Sequence, residues 1–271
     1  MYIKTKTTTY DLNEQALVMG ILNTTPDSFS DGGNYTSIEK AINHALQMER
    51  DGAHIIDVGG ESTRPNHQPV SEAEEIERVV PIIKELKNHL TIPISIDTYK
   101  ANVAEAAIQA GAEMINDIWG AKQESKIATV AAEYNVPIIL MHNRTNKQYN
   151  SMIDEMITDL QASVEIAQAA GVREEQIILD PGVGFGKELP DNFHVLHHLD
   201  TIINVFSYPM LLGTSRKSFI NTILDVPPEE RDNATGATTC YGMIKGARIF
   251  RVHDVKRHVQ LIHMMEAMMK G

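Results

Sequence analysis

The residues that could do chemistry cluster at the ends of short apolar runs. Read along the chain, those ends are Asn23; Asp57 and Glu61; Asp97; Asn116 and Asp117; Met141 and His142; Asp180; Ser215 and Lys217; Arg251 and His253. They sort into two chemical groups. Asp97, Asn116 and Asp180 offer carboxylates and an amide. These suit a flat heterocycle with an N–H-rich edge, because one carboxylate accepts two parallel N–H bonds. Lys217, Arg251, His253 and Arg64 offer donors and positive charge, which suit a diphosphate or a carboxylate. A ligand with a donor-rich ring and an anionic tail spans both. Any one of Asp97, Asp117 and Asp180 is explained by capping a following turn. The whole ring is not, because burying so many polar ends without a ligand leaves unpaired groups.

One stretch invites a different chemistry. "DPGVGFGKE" (180–188) is glycine-rich, ends in Gly-Lys and follows the apolar "QIIL". It fails as a nucleotide loop. Pro181 occupies the first glycine position of a phosphate loop, and Glu188 stands where Ser or Thr should meet magnesium. The dinucleotide fingerprint fails at its third glycine, which is Lys187. Glycines 182, 184 and 186 instead let the backbone turn sharply beside a flat ring. Phe185 at the crest offers an apolar wall to a second ring.

Elements must position these residues. The apolar runs at 16–23, 53–60, 93–98, 113–120, 137–143, 176–182, 209–215 and 247–254 are short, rich in β-branched residues and bounded by turn residues. They lack polar alternation, which predicts strands buried on both faces. Helical periodicity fills the gaps, as in "SIEKAINHALQMERDGA", "SEAEEIERVVPIIKELKNHL" and "KANVAEAAIQAGA", with Gly52, Gly111 and Gly171 as closing residues. Eight strand–helix units predict an α/β fold, a single-domain (β/α)8 TIM barrel over residues 1–271. Residues 1–15 are expected to form a short hairpin closing the barrel floor. Chemistry in such a barrel gathers at the C-terminal strand ends. Two long loops on that face, "NTTPDSFSDGG" (23–33) and "GGESTRPNHQP" (59–69), read as lids that close on substrate.

The 271 residues carry a net charge of −12, against general nucleic-acid or anionic-membrane binding. Cys240 is the single cysteine, so no intrachain disulfide forms and a cytoplasmic setting is expected. No apolar stretch reaches the roughly 18 residues of a membrane span. Cys240 is expected to be a small buried residue of the seventh unit's helix. In "HVLHH" (194–198), His194 and His198 share a helix face but lack a third ligand at metal spacing. The methionines of "LIHMMEAMMKG" read as packing or as a dimer face.

"VMGILNTTPDSFSDGG" with "GAHIIDVGGESTRP" resembles the paired signatures of the dihydropteroate synthase family. "SIDTYK", "INDIWG", "LDPGVGFGK", "GTSRKSFI" and "RVHDV" match further motifs of that family in order, from about residue 17 onward. Thr24 departs from its more usual valine and keeps β-branched bulk. The resemblance implies a transferase of folate synthesis. Its substrates are 6-hydroxymethyl-7,8-dihydropterin diphosphate and p-aminobenzoate, its products 7,8-dihydropteroate and pyrophosphate, and sulfonamides compete. It makes Asp97, Asn116, Asp180, Lys217 and Arg251 the catalytic, pterin-binding set, with Met141 also on the pterin. It places the diphosphate on Asn23, Arg251 and His253, with Mg²⁺ near Asn23. It gives the p-aminobenzoate site to Thr63, Arg64, Pro65, Phe185, Lys217 and Ser218. Phe29 and Asp31 act from the first loop once it closes, and the chain is a homodimer. A related pterin-binding barrel, the methyltetrahydrofolate methyltransferases, shares the Asp–Asn–Asp floor. It does not need "TPDSFSDGG" or "SRKS".

Overall fold

The computed structural model describes residues 1–24, 34–62 and 69–270, with side chains from Ile38 onward in the first helix. The chain opens with an antiparallel hairpin, β1 (Tyr2–Lys4) and β2 (Thr9–Asp11). Each of the eight apolar runs then contributes one parallel strand. They are β3 (Leu17–Asn23), β4 (Ile55–Gly59), β5 (Ile94–Asp97), β6 (Met114–Asp117), β7 (Ile138–Met141), β8 (Ile177–Asp180), β9 (Leu211–Leu212) and β10 (Ile249–Val252). Neighbours pair in chain order from β3 to β8, and β10 pairs both β3 and β9. The ring closes through one parallel bridge between Leu179 and Met210, with the Leu179 amide donating to Pro209 O at 2.9 Å. The sheet is thus a barrel, and the expected strand 209–215 shrinks to its two central residues.

Helices cover the outside: α1 (Asn34–Arg50), α2 (Glu72–His89), α3 (Ala101–Ala110), α4 (Lys126–Tyr134) and α5 (Met152–Ala169). The sixth and seventh units each carry two helices, α6 (Leu189–His197) with α7 (Leu199–Val205), then α8 (Ser218–Leu224) with α9 (Asp232–Ile244). Helix α10 (Val255–Lys270) follows β10. Ser71 starts α2 by accepting from the Glu74 amide at 3.2 Å, and Glu72, Glu74 and Glu75 complement the dipole of its first turn. Gly111 closes α3 at φ 129°, a left-handed conformation that a side chain resists.

The strands are buried on both faces, which explains their unbroken apolar runs. Their outer faces meet the helices in one large core. Their inner faces form a second, separate core of Leu17, Met19, Ile55, Met114, Ile139, Ile178, Leu211 and Ile249. Ile3, Tyr10 and Leu12 of the hairpin belong to that inner core and plug it from below. The Tyr10 hydroxyl donates to His54 O at 2.7 Å, so even the plug's polar atom is satisfied. Side chains alternate along a strand. Two residues past Ile55, Met114, Ile139, Ile178 and Ile249, the barrel interior therefore receives Asp57, Asn116, Met141, Asp180 and Arg251. The step of two that packs the floor also delivers the polar residues to the mouth.

Candidate active site

On the β4–β6 side, Asp57 is the hub. It is fully buried, and its Oδ2 accepts from Arg251 Nε at 2.6 Å and from Asn116 Nδ2 at 2.9 Å. Arg251 reaches across the barrel from β10 and also donates to Asp97 Oδ2 at 2.6 Å. Burial pushes the Asp97 carboxyl up to about 7; Arg251 opposes this and Asp57 adds to it. Burial disfavours the Arg251 charge, but Asp57 and Asp97 outweigh that and raise its pKa. Asp57 Oδ1 has no partner among the described residues. A buried carboxylate oxygen without a donor is expensive. The interior is therefore set to receive further N–H groups.

On the β8–β9 side, Asp180 ends its strand with Oδ1 accepting from the Gly182 amide at 2.7 Å. Burial raises its pKa, and Lys217 counters that shift. Burial in turn pulls Lys217 down to about 8, with Asp180 favouring its charge. Lys217 Nζ donates to Val183 O and lies 4.6 Å from the centroid of the Phe185 ring. It is aimed by the turn after β9. There Arg216, at φ 58°, makes two bonds to Asp232 at 2.8 and 2.7 Å. Gly213 sits between the two sides. A Cβ there would lie 3.7 Å from Asp180 Oδ2 and 3.9 Å from Arg251 Cβ, so the glycine keeps the space between them open.

Gly182, Gly184 and Gly186 all have left-handed φ, of 64°, 87° and 57°. A Cβ on Gly182 would collide with the His142 carbonyl oxygen. Met141 is buried beneath this loop at the end of β7. His253 follows β10, and Ser215 fixes it: Ser215 Oγ lies 2.9 Å from His253 Nδ1 and 3.1 Å from the His253 amide. Ser218 begins α8 in an exposed position, and Asn23 ends β3, also exposed. A Cβ on Gly59 would lie 3.6 Å from Asp97 and 3.9 Å from Asn23 Oδ1, so Asn23 adjoins the Asp97 side of the mouth. Phe29, Asp31, Thr63, Arg64 and Pro65 lie outside the described residues.

The sequence marked Asp57 and His142 as polar strand ends without giving either a task. It gave no task to Lys100. This amine, 7% exposed, bonds Glu61 at 2.5 Å, Glu75 at 2.6 Å and Val70 O at 2.8 Å. It ties the two ends of the second loop to α2. A lysine three residues past Asp97 gave only a faint signal, because nothing local shows which way it turns. Cys240 is only partly buried, contrary to expectation, because it lies toward the groove between α9 and α10. His194 and His198 do stack, with ring centroids 4.3 Å apart. No cluster among the described residues has three or more metal-ligating side chains.

The mouth is therefore an acidic interior interleaved with the cations Arg251 and Lys217, on a barrel of eight parallel strands. Residues 19–253 match the family described as pterin binding enzyme, and the chain belongs to that class. The dihydropteroate synthase of Bacillus subtilis is 57% identical over 98% of this chain and 93% of that one. A structure of dihydropteroate synthase from Xanthomonas albilineans in complex with 7,8-dihydropteroate has a TM-score of 0.91. It is 34% identical and covers 100% of both chains. A Yersinia pestis dihydropteroate synthase in a sulfonamide drug complex has a TM-score of 0.91. It is 39% identical, covering 100% of this chain and 99% of that one. Within the class, this chain belongs to the dihydropteroate synthase family, transferases of folate biosynthesis.

Proposed function

We propose that the barrel mouth joins 6-hydroxymethyl-7,8-dihydropterin diphosphate to p-aminobenzoate, giving 7,8-dihydropteroate and pyrophosphate. The observation that carries this is the convergence of Asp97, Asn116 and Asp180 with Lys217 and Arg251 in one interior. Asp180 accepts from the pterin's 2-amino group and ring N–H. Asn116 and Asp97 take the opposite ring edge, above Met141. Lys217 reaches the ring carbonyl, while Arg251 packs on the ring face. For Asp97 to take up the pterin, Arg251 must release it, and Asp57 retains the guanidinium when it does.

The bond to be broken joins a methylene to diphosphate. The electron-rich dihydropterin shares the positive charge left on that carbon, so we infer a dissociative path. Arg251, His253 and Asn23 then stabilise the departing diphosphate, with Ser215 holding the His253 ring in place. A magnesium ion fits the chemistry of this rim. Magnesium keeps several waters and binds mainly through substrate phosphates with few protein oxygens, and the Asn23 amide oxygen supplies one. When bound, it neutralises leaving-group charge. Phe185, Ser218, Lys217 and Thr63, Arg64 and Pro65 of the second loop shape the p-aminobenzoate site, where sulfonamides compete. Phe29 and Asp31 complete it from the first loop. The aniline nitrogen is a neutral nucleophile and needs no strong base.

The reading extends to a cytoplasmic homodimer. One free cysteine supports the compartment, and no described helix is long and apolar enough to cross a membrane. Met264, Met268 and Met269 of α10, with Tyr241 and Ile244 of α9, expose an apolar face for a second copy.

The test is pyrophosphate release from dihydropterin diphosphate and Mg²⁺, with and without p-aminobenzoate. Turnover only with p-aminobenzoate, with dihydropteroate formed, supports the synthase. Bound pterin without release under either condition sinks it.

A further inference from the structure

The glycine loop ends in Lys187, which the proposed reaction leaves unused. A nucleotide loop would aim such a lysine outward at phosphate. Here it turns inward and is 5% exposed. Its Nζ donates to Gly182 O at 2.9 Å and to Phe185 O at 2.9 Å, and lies 2.9 Å from His142 Nδ1. Burial pulls the Lys187 amine down to about 7, with Asp180 favouring its charge, and three acceptors around the one nitrogen use all three hydrogens of its ammonium form. That assigns the imidazole: Nδ1 accepts, so the proton sits on Nε2. Nε2 faces Asp159 Oδ2 of α5 at 3.1 Å. Burial keeps His142 neutral, lowering its pKa to about 4, and the hydrogen bond from His142 holds the Asp159 carboxyl low. A row of groups thus runs inward from the surface: Asp159 carboxylate, His142 imidazole, Lys187 ammonium, loop carbonyls.

We propose that Lys187, backed by His142 and Asp159, is a positioning residue that sets the Phe185 crest of the glycine loop for the aminobenzoate ring. This rests on the dihydropteroate synthase reading above. The loop needs such a support. Its three glycines have left-handed φ and no side chains to pack. Its other ties include the Gly182 amide on Asp180 Oδ1 at 2.7 Å, the Asn192 side chain on the Gly184 amide at 2.6 Å, the Tyr149 hydroxyl on Gly186 O at 2.7 Å and Lys217 on Val183 O. Among these ties, Lys187 bonds the Phe185 carbonyl directly. It also bonds the Gly182 carbonyl, which accepts from the Phe185 amide at 3.0 Å. Asp180 depends on it less, because Asp180 sits on β8, where the sheet ladder holds its backbone.

Lys187→Met and Asp159→Asn in the full chain test this. Two quantities are read: KM for p-aminobenzoate at saturating pterin diphosphate, and the calorimetric Kd of pterin diphosphate with Mg²⁺. Lys187→Met is expected to raise the p-aminobenzoate KM about tenfold, with the pterin Kd and kcat changed less than about threefold. Asp159→Asn keeps a hydrogen bond to His142 but removes the charge, and is expected to raise the same KM about threefold. A role in folding alone would reduce the active fraction, hence kcat, and leave KM in place; that result overturns the proposal. So does an equal rise for both substrates. If Lys187→Met does not fold, Asp159→Asn decides, its side chain being 29% exposed. Absence of turnover in the unsubstituted chain removes the reaction and this proposal together. Turnover with unchanged KM in the variants removes the proposal alone.

Discussion

The inner faces of the same strands carry two opposite chemistries one step apart. The lower layer holds Ile55, Met114, Ile139, Ile178 and Ile249, which pack with the hairpin into a dry plug. Two residues further on, the upper layer holds Asp57, Asn116, Met141, Asp180 and Arg251. The plug is apolar and satisfied. The mouth is buried and charged, with an Asp57 carboxylate oxygen that has no partner among the described residues. Such a mouth opposes folding and the plug offsets it, which is the usual trade between stability and activity. Changes in the two layers should therefore have separable consequences.

The largest separation is expected in the mouth. Lys217→Ala or Asp180→Ala should lower kcat/KM by at least ~100-fold, the usual loss when a charged contact is removed from a water-excluded site. Melting temperature should fall modestly, because each variant leaves the opposite buried charge with one fewer counter-charge. Near-wild-type kinetics in either variant would falsify the placing of the pterin on these residues.

The converse experiment is in the plug. Ile178 is 1% exposed and lies two residues below Asp180. Ile178→Ala should cost about 2–5 kcal/mol of stability, as large-to-small changes in a tight core do. It should leave kcat/KM of the folded enzyme within about threefold, because Asp180 is also held by its ladder and the Gly182 amide. Denaturant unfolding and steady-state kinetics on one preparation decide this. A large loss of activity with little loss of stability would mean that the layers are not independent.

The contrast also explains what the sequence disclosed. The strands were legible because burial on both faces removes polar alternation, and their polar ends were legible because each closes an apolar run. That carboxylates, an amide and cations close the apolar runs was legible from residue type alone. The partners were not. Arg251 meets Asp57 across 194 positions of chain and Asp97 across 154, which no local pattern encodes. Lys187 looked like a phosphate ligand in its own motif, and only the packing against His142 shows it turned inward. The seventh strand was over-read because its run was carried on through Gly213, Thr214 and Ser215, while the turn that aims Lys217 ends the ladder at Leu212.

A finer separation should come from pH. Burial raises the folded pKa of Asp97 to about 7, well above the ordinary aspartate value of 3.8. A carboxyl raised on folding contributes stability below its unfolded pKa, and that contribution is lost as pH climbs through the folded pKa. The ionised form is the one that pairs with Arg251 and accepts pterin N–H groups. Across roughly pH 4 to 7, stability should therefore fall as kcat/KM rises. Below about pH 7, kcat/KM should decline by roughly tenfold per unit. A flat kcat/KM profile down to pH 5.5 would show that Asp97 stays ionised in the free enzyme.

The smallest effect is expected outside both layers. His194, His197 and His198 stack at the junction of α6 and α7, with centroid spacings of 4.3 and 4.7 Å. His198 Nδ1 lies 3.0 Å from His194 O, so one ring nitrogen is already engaged by the helix end. No group of three or more metal-ligating side chains assembles there among the described residues. The stack belongs to the outer surface, and neither inner layer depends on it. A His194→Ala, His198→Ala double variant should keep kcat/KM within about twofold, and its melting temperature should not respond to added zinc. A zinc-dependent rise in melting temperature of the unsubstituted chain that vanishes in the double variant would make this face a metal site.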